Sequence, residues 1–275
     1  KILNYNISKL KKIIISNLIK IFNKHKIKKV IPISHGSASF FIDDNGKCSS
    51  GPHFLQKINP SLSRSFFKVL KRNEYTHSLK LNSYHNLGKS FYYLIKNKKL
   101  LKINKIVTLP ALINYILTDK MYLDKSYLAC HSFAWDFKKN KLISFFEGNK
   151  KFFPKIYGSG KMIGYVKKQY SKRRKIEVHN GIHDTSGSYL ALNRNFKSKN
   201  ILIVNTGTYF IISKKVKFRK DIKKEFYYNY GADNNLYLCK RLNAGLIYQK
   251  YNPKMLLSKD DLKLSEANDF FQKNR

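Results

Sequence analysis

Acidic residues are what this sequence is short of. It carries 16 Asp+Glu against 55 Lys+Arg, a formal net charge of +39 over 275 residues. Such a surplus is the footprint of a nucleic-acid binder when it is gathered on one surface. Here it is spread: Lys recurs from "KLKKIIISNLIK" near the start to "LSKDDLKLSEANDFFQKNR" at the end. The densest cluster, "KKQYSKRRK" (167–175), is short, and no zinc spacing or RNA-binding signature accompanies it. The expectation is therefore solvated basic faces rather than a nucleic-acid partner, with anions still drawn toward any cleft. Cysteine is scarce too. Cys48, Cys130 and Cys239 are odd in number and far apart, with no CxxC, which argues against a disulfide framework or a structural zinc and fits a reducing, cytoplasmic setting. No apolar run approaches the roughly 20 residues of a membrane span. "IIISNLIKIF" (13–22) is interrupted by Asn and Lys and reads as half of an amphipathic helix, and no leader peptide is visible. What the chain does have is core material. Hydrophobic residues make up 43%, with 19 Tyr and 19 Phe, enough to exclude a disordered chain and, at this length, enough for two domains.

Apolar residues at helical spacing (Leu10, Ile13, Ile14, Leu18, Ile21) predict a helix over 7–28. "KKVIPI" (28–33) and "FFIDD" (40–44) read as strands flanking the small-residue turn "SHGSAS" (34–39), a local pattern that predicts a hairpin, and "DNG" (44–46) is a further turn signal. Helices are expected over 85–100 and 105–119, the second with Pro110 near its start. "SYLACHSFAWDF" (126–137) reads as loop with a short strand or turn, and "FFPKIYGSGKMIGYV" (152–166) as loop and strand. "KIEVH" (175–179) is a strand that leads into "NGIHDTSGSYLALN" and a helix over 185–193. "KNILIVNTGTYFIISKK" (199–215) predicts a second hairpin, strands 201–205 and 209–213 around a Thr-Gly-Thr turn. The polar gap 194–199 suggests a domain boundary, with helices expected near 240–251 and over 258–275.

Three places carry candidate chemistry. The turn Thr206-Gly207-Thr208 exposes backbone N–H groups and hydroxyls that suit a phosphate, although glycine turns also occur for steric reasons alone. His35 and Gly36 stand at a strand end, where the imidazole could bond a substrate hydroxyl or simply satisfy backbone. Asp184 follows a strand and opens a helix. It could cap that helix, or serve as a base that takes a proton from a hydroxyl. His179 and His183 are four apart, but Asn180 and Gly181 break any helix between them, so no metal-ligand set is read from spacing.

Six segments in order resemble the FGGY family of carbohydrate kinases: "ISHGSASFFIDDNGK", "LPALINYILTDK", "CHSFAWDFKKNK", "FPKIYGSGKMIG", "GIHDTSGS" and "VNTGTYFIIS". The resemblance implies an α/β, ribonuclease-H-like two-domain fold of the actin and hexokinase type. It implies a sugar-binding domain over 1–193, without its first hairpin, and the start of a nucleotide-binding domain over 199–275. It further implies phosphorylation of a sugar hydroxyl by ATP with Mg²⁺, Asp184 as general base, and sugar contacts from His35, Gly36, His183 and Thr185. Thr206, Gly207 and Thr208 would meet the phosphates. The Gly-x-His-Asp-Thr variant leans toward a ketose or deoxy-ketose. Two departures stand out. The family opens with an Asp-x-Gly-Thr phosphate hairpin and closes with a glycine-rich adenosine segment, and neither is present. Asp119 also replaces the family's Gly after Leu-Thr. The resemblance therefore implies an incomplete kinase with little turnover alone. A non-catalytic binding module or a basic nucleic-acid-binding protein stands as the alternative, and a homodimer stays open.

Overall fold

The computed structural model describes residues 4–53, 56–79, 84–196, 201–206 and 209–242. The helix expected near 240–251 is strand as far as residue 242, and the rest of it, with the helix expected over 258–275, lies outside the described residues. The chain opens with the helix Ile7–Lys24, capped by Asn6, whose side chain accepts from Lys9 N–H. Two short strands follow, Lys29–Val30 and Ile33–Ser34.

These strands do not pair forward. Lys29–Val30 runs parallel to Glu177–His179, with Val30 opposite Val178, and Ile33–Ser34 runs parallel to Ile182–His183, with Ser34 opposite His183. The predicted hairpin over 28–44 is therefore absent. Pro32 lies at the break between the two ladders. It has no N–H to give, but its carbonyl accepts from Ile182 N–H at 2.9 Å. The strand Phe40–Ile42 instead pairs antiparallel with Cys48–Ser50 on one side and Lys105–Val107 on the other. The "DNG" turn closes the first of those pairs, with Gly46 at φ +75°.

Phe40, Phe66, Phe91, Trp135 and Phe146 lie in one continuous core. The helix Leu87–Lys96 lays Phe91 edge-on to Phe153 at 4.9 Å between ring centres. The next helix, Leu109–Thr118, has Pro110 in its first turn and ends on Asp119 in the left-handed conformation, the position where the resembling family places glycine. A short helix absent from the sequence reading, Lys125–Ala129, follows and is capped by Asp124.

Beyond residue 200 the architecture changes to an antiparallel sheet of four strands, in the order Leu202–Asn205, Phe210–Lys215, Leu236–Leu242, Phe226–Tyr230. The 202–215 hairpin is where its alternating β-branched residues predict it. The helix Asp184–Asn195 joins the two halves. Its first residue follows the strand Ile182–His183, while Tyr189, further along, stacks on Tyr237 at 4.1 Å and shares a 2.7 Å hydrogen bond with Ser213 of the sheet. No described helix is long and apolar enough to cross a membrane.

The core also holds an acid-sensitive group. Burial, with the Lys89 ammonium adding to it, lowers the His85 imidazole to about 4. His85 Nδ1 has no hydrogen-bond partner. The folded value lies below the ordinary one of 6.5, so the unfolded chain binds the extra proton and stability falls as pH drops through that window. A loss of about 2–3 kcal/mol between pH 7 and pH 4 is expected from this residue. Urea unfolding across that range should show it, with His85→Gln flattening the profile by the same amount.

Candidate active site

The parallel register of Ile33–Ser34 on Ile182–His183 brings together two loops that lie about 150 residues apart in sequence. The turn at 34–37 and the helix start at 183–185 stand side by side. Contact is close because residue 36 is glycine: a Cβ there would lie 3.0 Å from His183 Nε2 and 3.4 Å from His131 Cδ2. Gly181 has a similar role just before the strand Ile182–His183. A Cβ there would meet Pro110 Cβ at 2.5 Å and the Pro32 carbonyl at 2.9 Å. Gly181→Ala should therefore destabilise the fold by about 1–3 kcal/mol, read as a lowered melting temperature.

Asp184 is exposed and His183 beside it is buried. His183 Nε2 lies 3.3 Å from Asp184 Oδ1, and that same oxygen accepts from Thr185 N–H at 2.5 Å and from the Thr185 hydroxyl at 3.2 Å. The helix cap is His183, which makes no side-chain capping bond, and Asp184 is the first helical residue. The capping reading of Asp184 is thereby corrected: its carboxylate lies beyond the cap position and faces solvent. A helix N-terminus is a favourable place for negative charge.

His35 is half-buried, its Nδ1 2.8 Å from the Gly36 carbonyl. Tyr5 stacks toward it at 6.4 Å between ring centres. Thr206 is exposed at the end of the strand Leu202–Asn205, while Gly207 and Thr208 lie outside the described residues. Asn205 donates a long 3.5 Å hydrogen bond to Ser188 Oγ, in the second turn of the helix that Asp184 opens. The start of the Thr-Gly-Thr turn is thus tied to that helix. His179 turns elsewhere, with Nδ1 on the Gly160 carbonyl (2.7 Å) and Nε2 on Glu177 (2.9 Å).

Four further residues complete the site without having been singled out in the sequence. Asp124 is buried and accepts from the Ser126 hydroxyl, from Ser159 at 2.5 Å and from Tyr127 N–H at 3.2 Å. Burial raises its carboxyl above the ordinary range despite those bonds. It caps the helix that carries Tyr127, whose hydroxyl accepts from Ala38 N–H (3.1 Å) and donates to the Ala38 carbonyl (3.2 Å). One phenol thus clamps the strand that leaves the His35–Gly36 turn. The one signal available was Asp124 itself, a residue favoured at helix N-caps. Cys130 and His131 follow that helix. Cys130 Sγ stands 3.6 Å from His183 Nε2, and the His131 ring centre 5.7 Å from that of His183. Burial keeps all three in their neutral forms: the Cys130 thiol is pushed well up, the His131 imidazole down to about 3, and His183 down with Asp184 partly opposing the shift.

No family model matches the chain, and no curated protein matches it in sequence. Solved structures do match it. A carbohydrate kinase from Novosphingobium aromaticivorans superposes with a TM-score of 0.75 at 15% identity, over 90% of this chain and 57% of that one. The fold is that of the carbohydrate kinases. Xylulose kinase from Lactobacillus acidophilus matches with a TM-score of 0.73 at 16% identity, over 94% of this chain and 56% of its own. Plasmodium falciparum glycerol kinase, solved with ADP, gives 0.67 at 15%, over 97% and 57%. The chain therefore spans just over half the length of the carbohydrate kinases it matches. The α/β fold expected from the FGGY resemblance is the fold found. At these identities the superposition speaks for the fold, and the chemistry has to be argued from the residues.

Proposed function

We propose that this chain is the sugar-binding part and the beginning of the nucleotide-binding part of an FGGY carbohydrate kinase, divided at 1–193 and 199–275, which transfers the γ-phosphoryl of ATP to a sugar hydroxyl. The observation that carries this reading is the pairing of Ser34 with His183, which places the His35–Gly36 turn against the Asp184 helix start in a carbohydrate-kinase fold. Asp184 is the base. It is exposed, lies at a helix start, and has one oxygen already oriented by Thr185. Phosphoryl transfer asks of such a residue that it orient the attacking hydroxyl and accept its proton. His35, Gly36, His183 and Thr185 line the sugar side, and Thr206, Gly207 and Thr208 form the phosphate side. The acceptor is a ketose or deoxy-ketose, on the His-Asp-Thr variant alone.

Mg²⁺ belongs with the nucleotide in this chemistry, but the described residues around Asp184 do not fit a magnesium cage. The neighbouring donors are one thiol and two imidazoles, where Mg²⁺ takes oxygen. No step is therefore assigned to a metal here.

Calorimetric titration with a panel of ketoses, aldoses and polyols, followed by ADP release at saturating ATP, tests the reading. Saturable binding of at least one sugar is expected. No binding by any member of the panel would overturn it. The net charge of +39 favours a second reading, a polyanion binder. In that case DNA affinity should fall by about 10³–10⁵ between 50 and 200 mM salt, while sugar binding should not respond to salt.

A further inference from the structure

We propose that Cys130, His131 and His183 form a binding site for a borderline-soft divalent ion, zinc above all, opening onto the Asp184 carboxylate. One ligand atom from each of the three residues lies within 4.8 Å of the others. One of the distances already matches a tetrahedral centre. Zinc bonds of about 2.3 Å to sulfur and 2.0–2.1 Å to nitrogen set an edge of roughly 3.6 Å for S···N. Cys130 Sγ to His183 Nε2 is 3.6 Å. The third ligand, a His131 ring nitrogen, lies within 4.8 Å of the other two, and a side-chain rotation would bring it into the coordination shell.

The backbone at His131 is held in the left-handed region. It sits at φ +62°, and Phe133, two residues on, at φ +58°. Such positions cost on the order of 1–3 kcal/mol each for non-glycine residues and persist where the surroundings hold them. Gly36 keeps the opposite wall open, since a Cβ there would stand 3.0 Å from His183 Nε2. The donor set, one sulfur and two nitrogens with an oxygen at the open side, suits Zn²⁺, Co²⁺ or Cu⁺ and is wrong for Mg²⁺ or Ca²⁺. No spacing announces it: the ligands come from the end of one short helix and from a strand more than fifty residues later, joined only by the fold. Asp184 Oδ1 approaches the three only at His183, 3.3 Å from Nε2, and stands outside the set, so the fourth position of an ion held there is left for water or a hydroxyl.

The test uses the metal-stripped chain and Zn²⁺ alone, followed by calorimetry, then Co²⁺ followed by its visible spectrum. Binding is read without turnover, so the result stands apart from whether the chain phosphorylates anything. One equivalent of Zn²⁺ is expected to bind, and Co²⁺ should give tetrahedral bands with a thiolate charge-transfer feature. Cys130→Ser should abolish that feature and weaken Zn²⁺ by more than about 100-fold. Cys48→Ser and Cys239→Ser should change neither. His131→Gln, which keeps the thiol, should weaken Zn²⁺ and distort the cobalt bands, and serves if Cys130→Ser fails to fold. Absence of a cobalt–thiolate band, or Zn²⁺ affinity unchanged in Cys130→Ser or in His131→Gln, would overturn the proposal.

Discussion

In a complete kinase carrying this segment, Asp184→Asn is expected to lower ATP-dependent sugar phosphorylation by about 10²–10⁴-fold, the contribution of a positioned general base, while sugar affinity changes by less than about tenfold. The substitution keeps the shape and the oxygen that accepts from Thr185 N–H, and removes only the ability to take a proton. Asp184 is exposed, so the melting temperature should stay within about a degree or two, as surface substitutions usually do. The split between rate and affinity is the informative part. A purely structural Asp184 would move stability and leave turnover alone. A sugar-holding residue would move affinity first. ADP-release kinetics for variant and wild type in that complete kinase, with the bound sugar titrated by calorimetry, separate these outcomes.

Asp124→Ala should be the most damaging single change to the fold around the site, at about 2–4 kcal/mol: a lost helix cap plus donors left without their acceptor. The Ser126 and Ser159 hydroxyls and Tyr127 N–H all point at this carboxylate. Its loss loosens the helix that presents Tyr127, and with it the clamp on Ala38 that holds the His35–Gly36 turn. Sugar affinity should fall together with urea stability. Asp124→Asn keeps an acceptor oxygen and should cost less. The pH dependence has a definite sign. Burial raises the folded pKa, so this residue's contribution is greatest below the ordinary carboxylate range and declines as pH rises through the raised value. Asp124→Asn should therefore remove a decline of stability with rising pH that the wild type shows.

The legible and the hidden parts of this chain divide along one physical line. The 202–215 hairpin was readable because both strands and the turn are contiguous in one short segment, with β-branched residues on either side of Thr-Gly-Thr. The strand–helix junction at Asp184 was readable for the same reason, though the cap fell one residue early, on His183. The 28–44 segment has the same local pattern and a different outcome. Its two short strands pair in parallel with 177–183, a partner about 150 residues away that no local window contains. Strands of two residues are too short to carry a period, so nothing in "KKVIPI" distinguishes them from half of a hairpin. The helix Lys125–Ala129 was hidden because five residues are too few for a period, and the strand Phe226–Tyr230 because four of its five residues are aromatic and show no alternation. Cys130 and His131 stood in a segment that resembles the family, but only the fold brings them to His183.

The measurement that tests the central claim most directly is calorimetry of the sugar panel against the wild-type chain and His183→Ala, in 50 and 200 mM salt. The account predicts one saturable sugar site, weakened at least tenfold by His183→Ala, a change of about 1.4 kcal/mol, and indifferent to salt. Sugar binding that His183→Ala leaves intact, or no sugar binding at all, would contradict a site built from the His35–Gly36 turn and the Asp184 helix start.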